Sequence, residues 1–324
     1  GCEMEFSHKP VMLGECIEAL RIRPDGIYLD GTMGGGGHSL AIAERLTAGG
    51  RLIAVDRDED AHKAARERLK EYLDRVTFVR DDFKNACADL DEMGVGALDG
   101  VLLDLGVSSW QLDSAERGFS YTKDAPLDMR MDRRQRLGAY EVVNGYSERE
   151  LAAVFRDYGE EKLAGKIAAR IVREREKHPV ETTMQLSDLV AACYPAATRY
   201  KFGHPAKRVF QAIRIEVNGE LEGLGESVQA LARRLAPGGR MAVLTFHSLE
   251  DRIVKNAFRE MNLSCTCPPD FPVCVCGKVK EVELVNAKPI TASAAELAEN
   301  PRAESAKLRI IERLATEGRK TKER

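Results

Sequence analysis

The sequence predicts an α/β protein: a Rossmann-like, mostly parallel sheet interrupted by an inserted all-helical domain. Three observations lead there. Short apolar runs alternate with amphipathic helical patterns over the first third of the chain, the pattern of parallel strands joined by crossover helices. After Leu105 the strands stop, and a loop-rich stretch leads only into helices. The alternation resumes after Pro237-Gly238-Gly239.

In chain order, the first strands are Ile27–Asp30, Leu52–Asp56, Val76–Arg80 and Val101–Leu105, each an apolar run that stops at a polar or glycine-rich residue. His38–Leu46 and Glu59–Leu73 carry the helical spacing between them. The interrupting stretch reads as helices over Glu148–Tyr158, Lys162–Lys177 and Met184–Cys193. A further helix running to Leu235 is closed by the Pro-Gly-Gly turn, followed by a strand at Arg240–Phe246 and a helix at Glu250–Met261. The expected sheet domain is therefore residues 1–111 with 211–324, and the insert is 112–210. The last few residues, rich in Lys and Arg, are expected to fray.

At 324 residues the chain has room for roughly two domains. Its 44% hydrophobic and 31% charged residues exclude wholesale disorder. No apolar stretch reaches the roughly eighteen residues of a membrane span, and no basic flank with an apolar core opens the chain, so a cytoplasmic protein without a membrane partner is expected. The net charge of -3 conceals an asymmetry: residues 162–214 carry eleven basic against four acidic side chains, while everything else sums to -10. A face turned to a polyanion and a solvated helical surface both fit that segment.

Ligands of open α/β sheets bind beyond the carboxyl ends of the strands. There Asp30 leads into Gly31-Thr32-Met33-Gly34-Gly35-Gly36-Gly37-His38, a turn whose glycines let backbone approach a ligand closely. No Lys-Ser or Lys-Thr follows at P-loop spacing, which excludes a phosphate cradle of that type. Asp30 would repel a pyrophosphate but attract the sulfonium and ammonium of S-adenosylmethionine. Asp56 can accept ribose hydroxyls in either cofactor class, Phe83 can stack on adenine, and Asp104 ends the fourth strand. Taken singly, Phe83 could equally be core and Asp30 a helix cap; acids ending three of four successive strands are the stronger signal.

The runs Asp30–Ser39, Leu102–Ser109, Ala115–Ser120, Pro126–Asp132 and Thr245–Arg252 closely resemble the ribosomal RNA small subunit methyltransferase H family, and the likeness spans nearly the whole chain. That resemblance implies a class I S-adenosylmethionine-dependent methyltransferase sheet with an inserted helical RNA-recognition domain. It implies methylation of the N4 amine of a cytidine in the decoding centre of bacterial 16S rRNA, within the small ribosomal subunit, and leaves a homodimer open. By the same resemblance the cofactor residues fall on Gly36, Gly37, His38, Asp56, Phe83, Asp104 and Gln111. His38 and Gln111 come from the resemblance alone. A methyltransferase for another base or a small molecule, and a catalytically silent RNA-binding module, are the competing readings; intact Asp56 and Asp104 speak against silence.

The lone pair of a cytosine N4 amine is delocalised, and the amine sheds a proton as the methyl arrives, so acceptors should surround it. After the fourth strand this chain lacks the proline pair of many DNA amino-methyltransferases. Asp104 and nearby carbonyls are therefore expected to take the amine hydrogens, with Ser108 or Ser109 assisting. His247 is a further catalytic candidate, although a histidine after a strand is more often structural. Trp110, Phe119 or Tyr121 could receive the unstacked base, with Arg117 or Arg130 on phosphate.

Cys16, Cys87 and Cys193 read as small residues in helices. Cys265-Thr266-Cys267 and Cys274-Val275-Cys276 supply four thiols, enough for a tetrahedral zinc site, at a spacing less usual than C-x-x-C. Reduced thiols and disulfides fit as well, and the family resemblance requires no metal.

Overall fold

The computed structural model describes residues 9–47 and 49–315, so the expected fraying of the C-terminal tail lies outside the described residues. The chain divides into two compact units, one formed by the residues up to Gly106 and from Gly223 onward, the other by Val107–Glu222. The expected boundaries at 111/112 and 210/211 move to 106/107 and 222/223. The reason is continuity: a helix at Lys207–Asn218 crosses the expected second boundary without a break.

The first unit opens with α1 (Leu13–Leu20), β1 (Ile27–Asp30), α2 (Gly37–Ala43), β2 (Arg51–Val55), α3 (Glu59–Arg68), β3 (Val76–Val79), α4 (Ala86–Glu92) and β4 (Leu98–Asp104). The second unit contributes α5 (Ser109–Asp113), α6 (Ala139–Gly145), α7 (Glu148–Gly159), α8 (Ala164–Lys177), α9 (Thr183–Ala192) and α10 (Lys207–Asn218). The chain then returns with α11 (Leu224–Arg233), β5 (Leu235–Thr245), α12 (Ser248–Asn262), β6 (Val282–Leu284), α13 (Ala294–Glu299) and β7 (Lys307–Arg313).

The sheet order is β3-β2-β1-β4-β5-β7-β6. β1 to β5 are parallel, and β7 runs antiparallel to both β5 and β6. This is the Rossmann-like order with its reversal between β1 and β4, so the loops after those two strands diverge and leave a crevice. The central strands are buried runs because helices cover a parallel sheet: Leu52, Ile53 and Ala54 of β2 and Val101, Leu102 and Leu103 of β4 are fully enclosed, whereas β3 at the edge is only half-buried.

Two expectations change. Pro237-Gly238-Gly239 is not the end of a helix; α11 stops at Arg233 and β5 already begins at Leu235. Leu235 pairs with Leu98 and Arg240 with Gly100, so Ala236–Gly239 bulge opposite the single residue Asp99. β6 and β7 are two further strands, beyond those expected from the sequence. In β7, Leu308, Ile310 and Ile311 are buried between the charged Lys307, Arg309 and Glu312, a mixed pattern that long-range pairing turns into a strand.

At the end of β5, Asp251 in the first turn of α12 accepts from the Thr245 hydroxyl (2.8 Å) and, bidentately, from Arg309 Nε (2.8 Å) and an Arg309 Nη (2.9 Å). Burial pushes the Asp251 carboxyl up, but the bonds from Arg309 and Thr245 outweigh it and leave the carboxyl below its ordinary value. One buried carboxylate thus ties β5, α12 and β7 together.

The second unit is helical among its described residues apart from an isolated bridge between Pro126 and Thr182. Phe119, Met129, Phe155, Ile167, Leu186, Val209 and Phe210 lie in its core. Ser147 with Glu150 and Thr182 with Gln185 form capping boxes that start α7 and α9. Arg117, 1% exposed, donates to the Arg130 carbonyl (2.7 Å) and reaches the Met131 carbonyl. Arg130 is held by Asp128 (2.6 Å) and by the carbonyls of Arg133 and Gln135. Both arginines expected on phosphate are therefore committed to bracing this loop-rich stretch, and Phe119, expected as a stacking platform, is core. No helix among the described residues is long and apolar enough to cross a membrane.

Candidate functional site

The glycine-rich turn is built on β1. Asp30 is 1% exposed, and its oxygens accept from the Thr32 amide (3.1 Å) and the Ser39 hydroxyl (2.7 Å). Asp30, expected as a cofactor ligand, is sealed from solvent in this structure and clamps the turn to the first helical residues of α2. Gly36 caps α2 at φ 89°, and a β-carbon there would lie 3.1 Å from Ala65 Cβ on α3, so a side chain is opposed by both conformation and space. Gly37 opens α2 against Pro10.

The next strands bring their end residues to the same edge. Asp56 follows β2; its Oδ2 accepts from the Gly34 amide and its Oδ1 from the Asp58 amide, both at 2.8 Å. Each oxygen keeps a lone pair for a further donor. Burial pushes the Asp56 carboxyl up, against those two amide bonds, and the side chain remains half-buried rather than sealed. Phe83 starts a 3-10 turn after β3, half-buried, with its Cβ 3.0 Å from where a β-carbon on Gly31 would sit. Gly31 is what lets the aromatic approach the turn.

Asp104 ends β4. Its amide donates to Thr32 Oγ1 (2.6 Å), which pins the strand end to the glycine turn. The carboxyl is largely buried, yet 27% of the side chain is reachable by solvent. Burial pushes it up to about 7; Asp30 and Glu250 add to the rise and Arg302 opposes it. His38 Nδ1 lies 3.6 Å from Asp104 Oδ2, and its Nε2 is 3.0 Å from the Val11 carbonyl. Burial lowers His38 to about 4, with the nearby Arg68 cation acting the same way. Its proton therefore sits on Nε2, facing Val11, and the bare Nδ1 faces Asp104. This is no ion pair at neutral pH: a lone pair turned toward a carboxyl favours its protonated form, in the same direction as burial.

His247, expected as a catalytic candidate, caps α12. Its Nδ1 accepts from the Glu250 amide at 3.4 Å, while Glu250 Oε1 accepts from the Phe246 amide at 2.5 Å. That reciprocal pair starts a helix and gives His247 Nδ1 a structural role, while its buried Nε2 has no hydrogen-bond partner among the described residues and lies 3.2 Å from Glu250 Oε2. Ser109 and Gln111 lie in α5 of the second unit, just beyond Asp104 in the chain. Gln111 closes a capping box with Ser108: the Ser108 amide donates to Gln111 Oε1 (3.0 Å) and the Gln111 amide to Ser108 Oγ (3.1 Å).

The first unit thus collects a glycine turn, an aromatic and two accessible carboxyls at the ends of four parallel strands, a set suited to an adenosine-bearing cation. The MraW methylase family matches residues 5–314. The chain belongs to the MraW methylase family. It is similar to the ribosomal RNA small subunit methyltransferase H of Lachnospira eligens, 55% identical over 97% of this chain and 100% of that protein. The protein of the same description from Symbiobacterium thermophilum is 54% identical over 96% of this chain and 98% of its own length.

Several residues that shape this methylase site escape sequence reasoning. Thr32 and Ser39 were within reach, because Asp-x-Thr is an Asx-turn pattern. Val11, Glu250 and Arg302 were not. They are far from Asp30 and Asp104 in the chain, and only the fold brings their carbonyl or charge to bear.

Proposed function

We propose that this chain methylates the N4 amine of a cytidine in 16S rRNA in the cytoplasm, with S-adenosylmethionine as donor. The observation that carries the reading is the pair of accessible carboxyls, Asp56 and Asp104, set on either side of the glycine turn at the ends of β2 and β4. The residues fit the donor: two carboxylates match its cationic groups and ribose hydroxyls, and the half-buried Phe83 ring matches adenine. When bound, S-adenosylmethionine supplies a methyl group activated by a sulfonium. Asp56 accepts the ribose hydroxyls, Phe83 packs on the adenine, and Gly36 and Gly37 keep side chains out of the way. Asp104 offers negative charge beside the reacting centre and accepts hydrogen from the amine. The family resemblance adds Gln111 to the cofactor residues, and Ser109, nearby in the chain, is the hydroxyl expected to assist Asp104. The decisive experiment treats small-subunit particles from cells lacking the protein with labelled donor and maps the methyl group. Label on a cytidine N4 supports the reading, and label on another base or none overturns it.

Asp56→Ala is expected to weaken S-adenosylmethionine binding by calorimetry at least about tenfold, or 1.4 kcal/mol. Because Asp104 holds a proton up to about pH 7, donor binding at pH 6 is expected to release protons and to weaken further as the pH falls. Binding heats independent of buffer at pH 6 would place the cation away from Asp104.

The second unit offers the chemistry for RNA. Tyr200 is 65% and Phe202 85% exposed, Lys201 Nζ lies 5.6 Å from the Phe202 ring centre, and Arg199, Lys207 and Arg208 stand close in sequence. Exposed aromatics interleaved with cations suit unstacked bases and phosphates. The basic segment is not uniformly available. Arg175 is tied to the Val143 and Tyr146 carbonyls, Arg170 pairs with Glu174, and Arg214 with Glu220; Arg199 and Arg208 each give one nitrogen to a carbonyl, of Tyr194 and Glu160, while Lys201 and Lys207 are exposed. Replacing Arg199, Lys201, Lys207 and Arg208 with alanine is therefore expected to weaken RNA binding and flatten its salt dependence, with donor affinity unchanged. An unaltered salt slope would assign recognition to another surface.

A further inference from the structure

Between the end of α12 and the start of β6 the chain runs from Leu263 to Glu281 without helix or strand. Its base is closed: the Glu281 amide donates to the Met261 carbonyl (2.8 Å) and Asn262 Nδ2 to the Val282 carbonyl (3.0 Å). Beyond that base no core holds it. From Leu263 to Gly277 every residue is exposed except Cys265, Cys267 and Cys274, and even Phe271, Val273 and Val275 face solvent. A loop of this length without apolar packing needs another source of order.

The cysteines supply it. The sulfurs of Cys265, Cys267, Cys274 and Cys276 all lie within 4.8 Å of one another. Cys267 to Cys274 and Cys276 to Cys265 are 3.9 Å apart, and Cys274 to Cys276 is 3.4 Å. A disulfide needs about 2.0 Å, whereas four sulfurs about 2.3 Å from one tetrahedral ion are about 3.8 Å apart. Backbone amides are also aimed at the sulfurs: Thr266 at Cys276 (3.4 Å), Cys267 at Cys265 (3.3 Å) and Val275 at Cys267 (3.2 Å). Such donors favour thiolates over thiols.

We propose that Cys265, Cys267, Cys274 and Cys276 form a tetrathiolate zinc site that staples the loop from Leu263 to Gly277. Four sulfur ligands leave no open position, so the ion is structural and takes no part in methyl transfer. The separations suit one ion, not a cluster of several irons that would spread its ligands. Among single divalent ions at such a site, zinc binds more tightly than ferrous iron. Binding releases the thiol protons to solvent, with no change of oxidation state.

The test uses the full chain purified under reducing conditions without chelator, with metal measured by plasma mass spectrometry and thiols by titration. About one zinc per chain is expected, falling below about a tenth in the Cys265→Ser/Cys274→Ser double variant and unchanged in Cys87→Ser, whose thiol lies on α4. Cobalt substitution should give a thiolate charge-transfer band, and removing the metal should open the loop from Leu263 to Gly277 to protease. Unchanged S-adenosylmethionine affinity in the double variant would show that the sheet unit still folds and that the metal is lost from the loop alone. Four titratable thiols without metal, disulfides within the quartet, iron in place of zinc, or zinc retained by the double variant would each overturn the proposal.

Discussion

With asparagine at position 104, single-turnover methyl transfer at saturating donor and acceptor is expected to fall at least about 100-fold, while donor affinity falls much less. The variant keeps the size of the side chain and the amide bond to Thr32, so the strand end stays in place. What it loses is charge that acts as the amine gives up hydrogen. The pH dependence separates this from a packing effect. Burial holds the free Asp104 carboxyl near 7, and the donor's positive charge draws it lower, so the wild-type rate should climb as Asp104 loses its proton and then level. The asparagine variant should lack that limb. Equal losses in rate and affinity would make Asp104 a binding residue, and a wild-type rate would remove it from the reaction. Positioning of donor and acceptor can supply about 7 to 11 kcal/mol of barrier reduction, so substantial residual activity is expected even without the charge.

Raised carboxyls also affect folding. Asp30 is pushed up to about 6, by burial first, and Asp104 to about 7, so between the ordinary carboxyl range and these values the folded chain holds protons that the unfolded chain releases. Their contribution is complete below the ordinary carboxyl value near 4 and is lost as the pH rises through 6 to 7.

The second large effect concerns stability. Asp251→Asn is expected to destabilise the sheet unit by about 3 kcal/mol or more in urea unfolding, because it strands the buried Arg309 guanidinium without its bidentate partner. Arg309→Lys should recover little of an Arg309→Ala loss, since one ammonium cannot match two parallel bonds. Here the pH sign is reversed. A carboxyl held below its ordinary value stabilises the fold above about pH 4, and that stabilisation is lost as the pH falls through the lower folded value. A loss under about 1 kcal/mol, the scale of an exposed pair, would mean that packing rather than charge joins β5, α12 and β7.

By itself the sequence determined the parallel half of the sheet, the glycine turn, and the acids and aromatic that follow its strands. Those features are local: a buried parallel strand is a continuous apolar run, and its end is marked by the next polar or glycine residue. The structure decided what depends on distant partners. Asp30 and Asp104 look alike as acids ending strands, yet Asp30 is sealed from solvent against Thr32 and Ser39, whereas Asp104 stays reachable. His247 reads as a catalytic candidate, and the fold shows that its Nδ1 also caps α12. Arg117 and Arg130 read as phosphate contacts until carbonyls several residues away turn out to hold them. β7 carries alternating charge that becomes a strand only because β5 and Asp251 are there to receive it. The two C-x-C pairs left metal, thiol and disulfide open, and only the loop's lack of a core, together with sulfur separations near a tetrahedron's edge, favours one of the three. A side chain's type and spacing are written in the chain, but whether its charge or lone pair is spent inside the protein or left for a ligand depends on partners that folding brings from elsewhere.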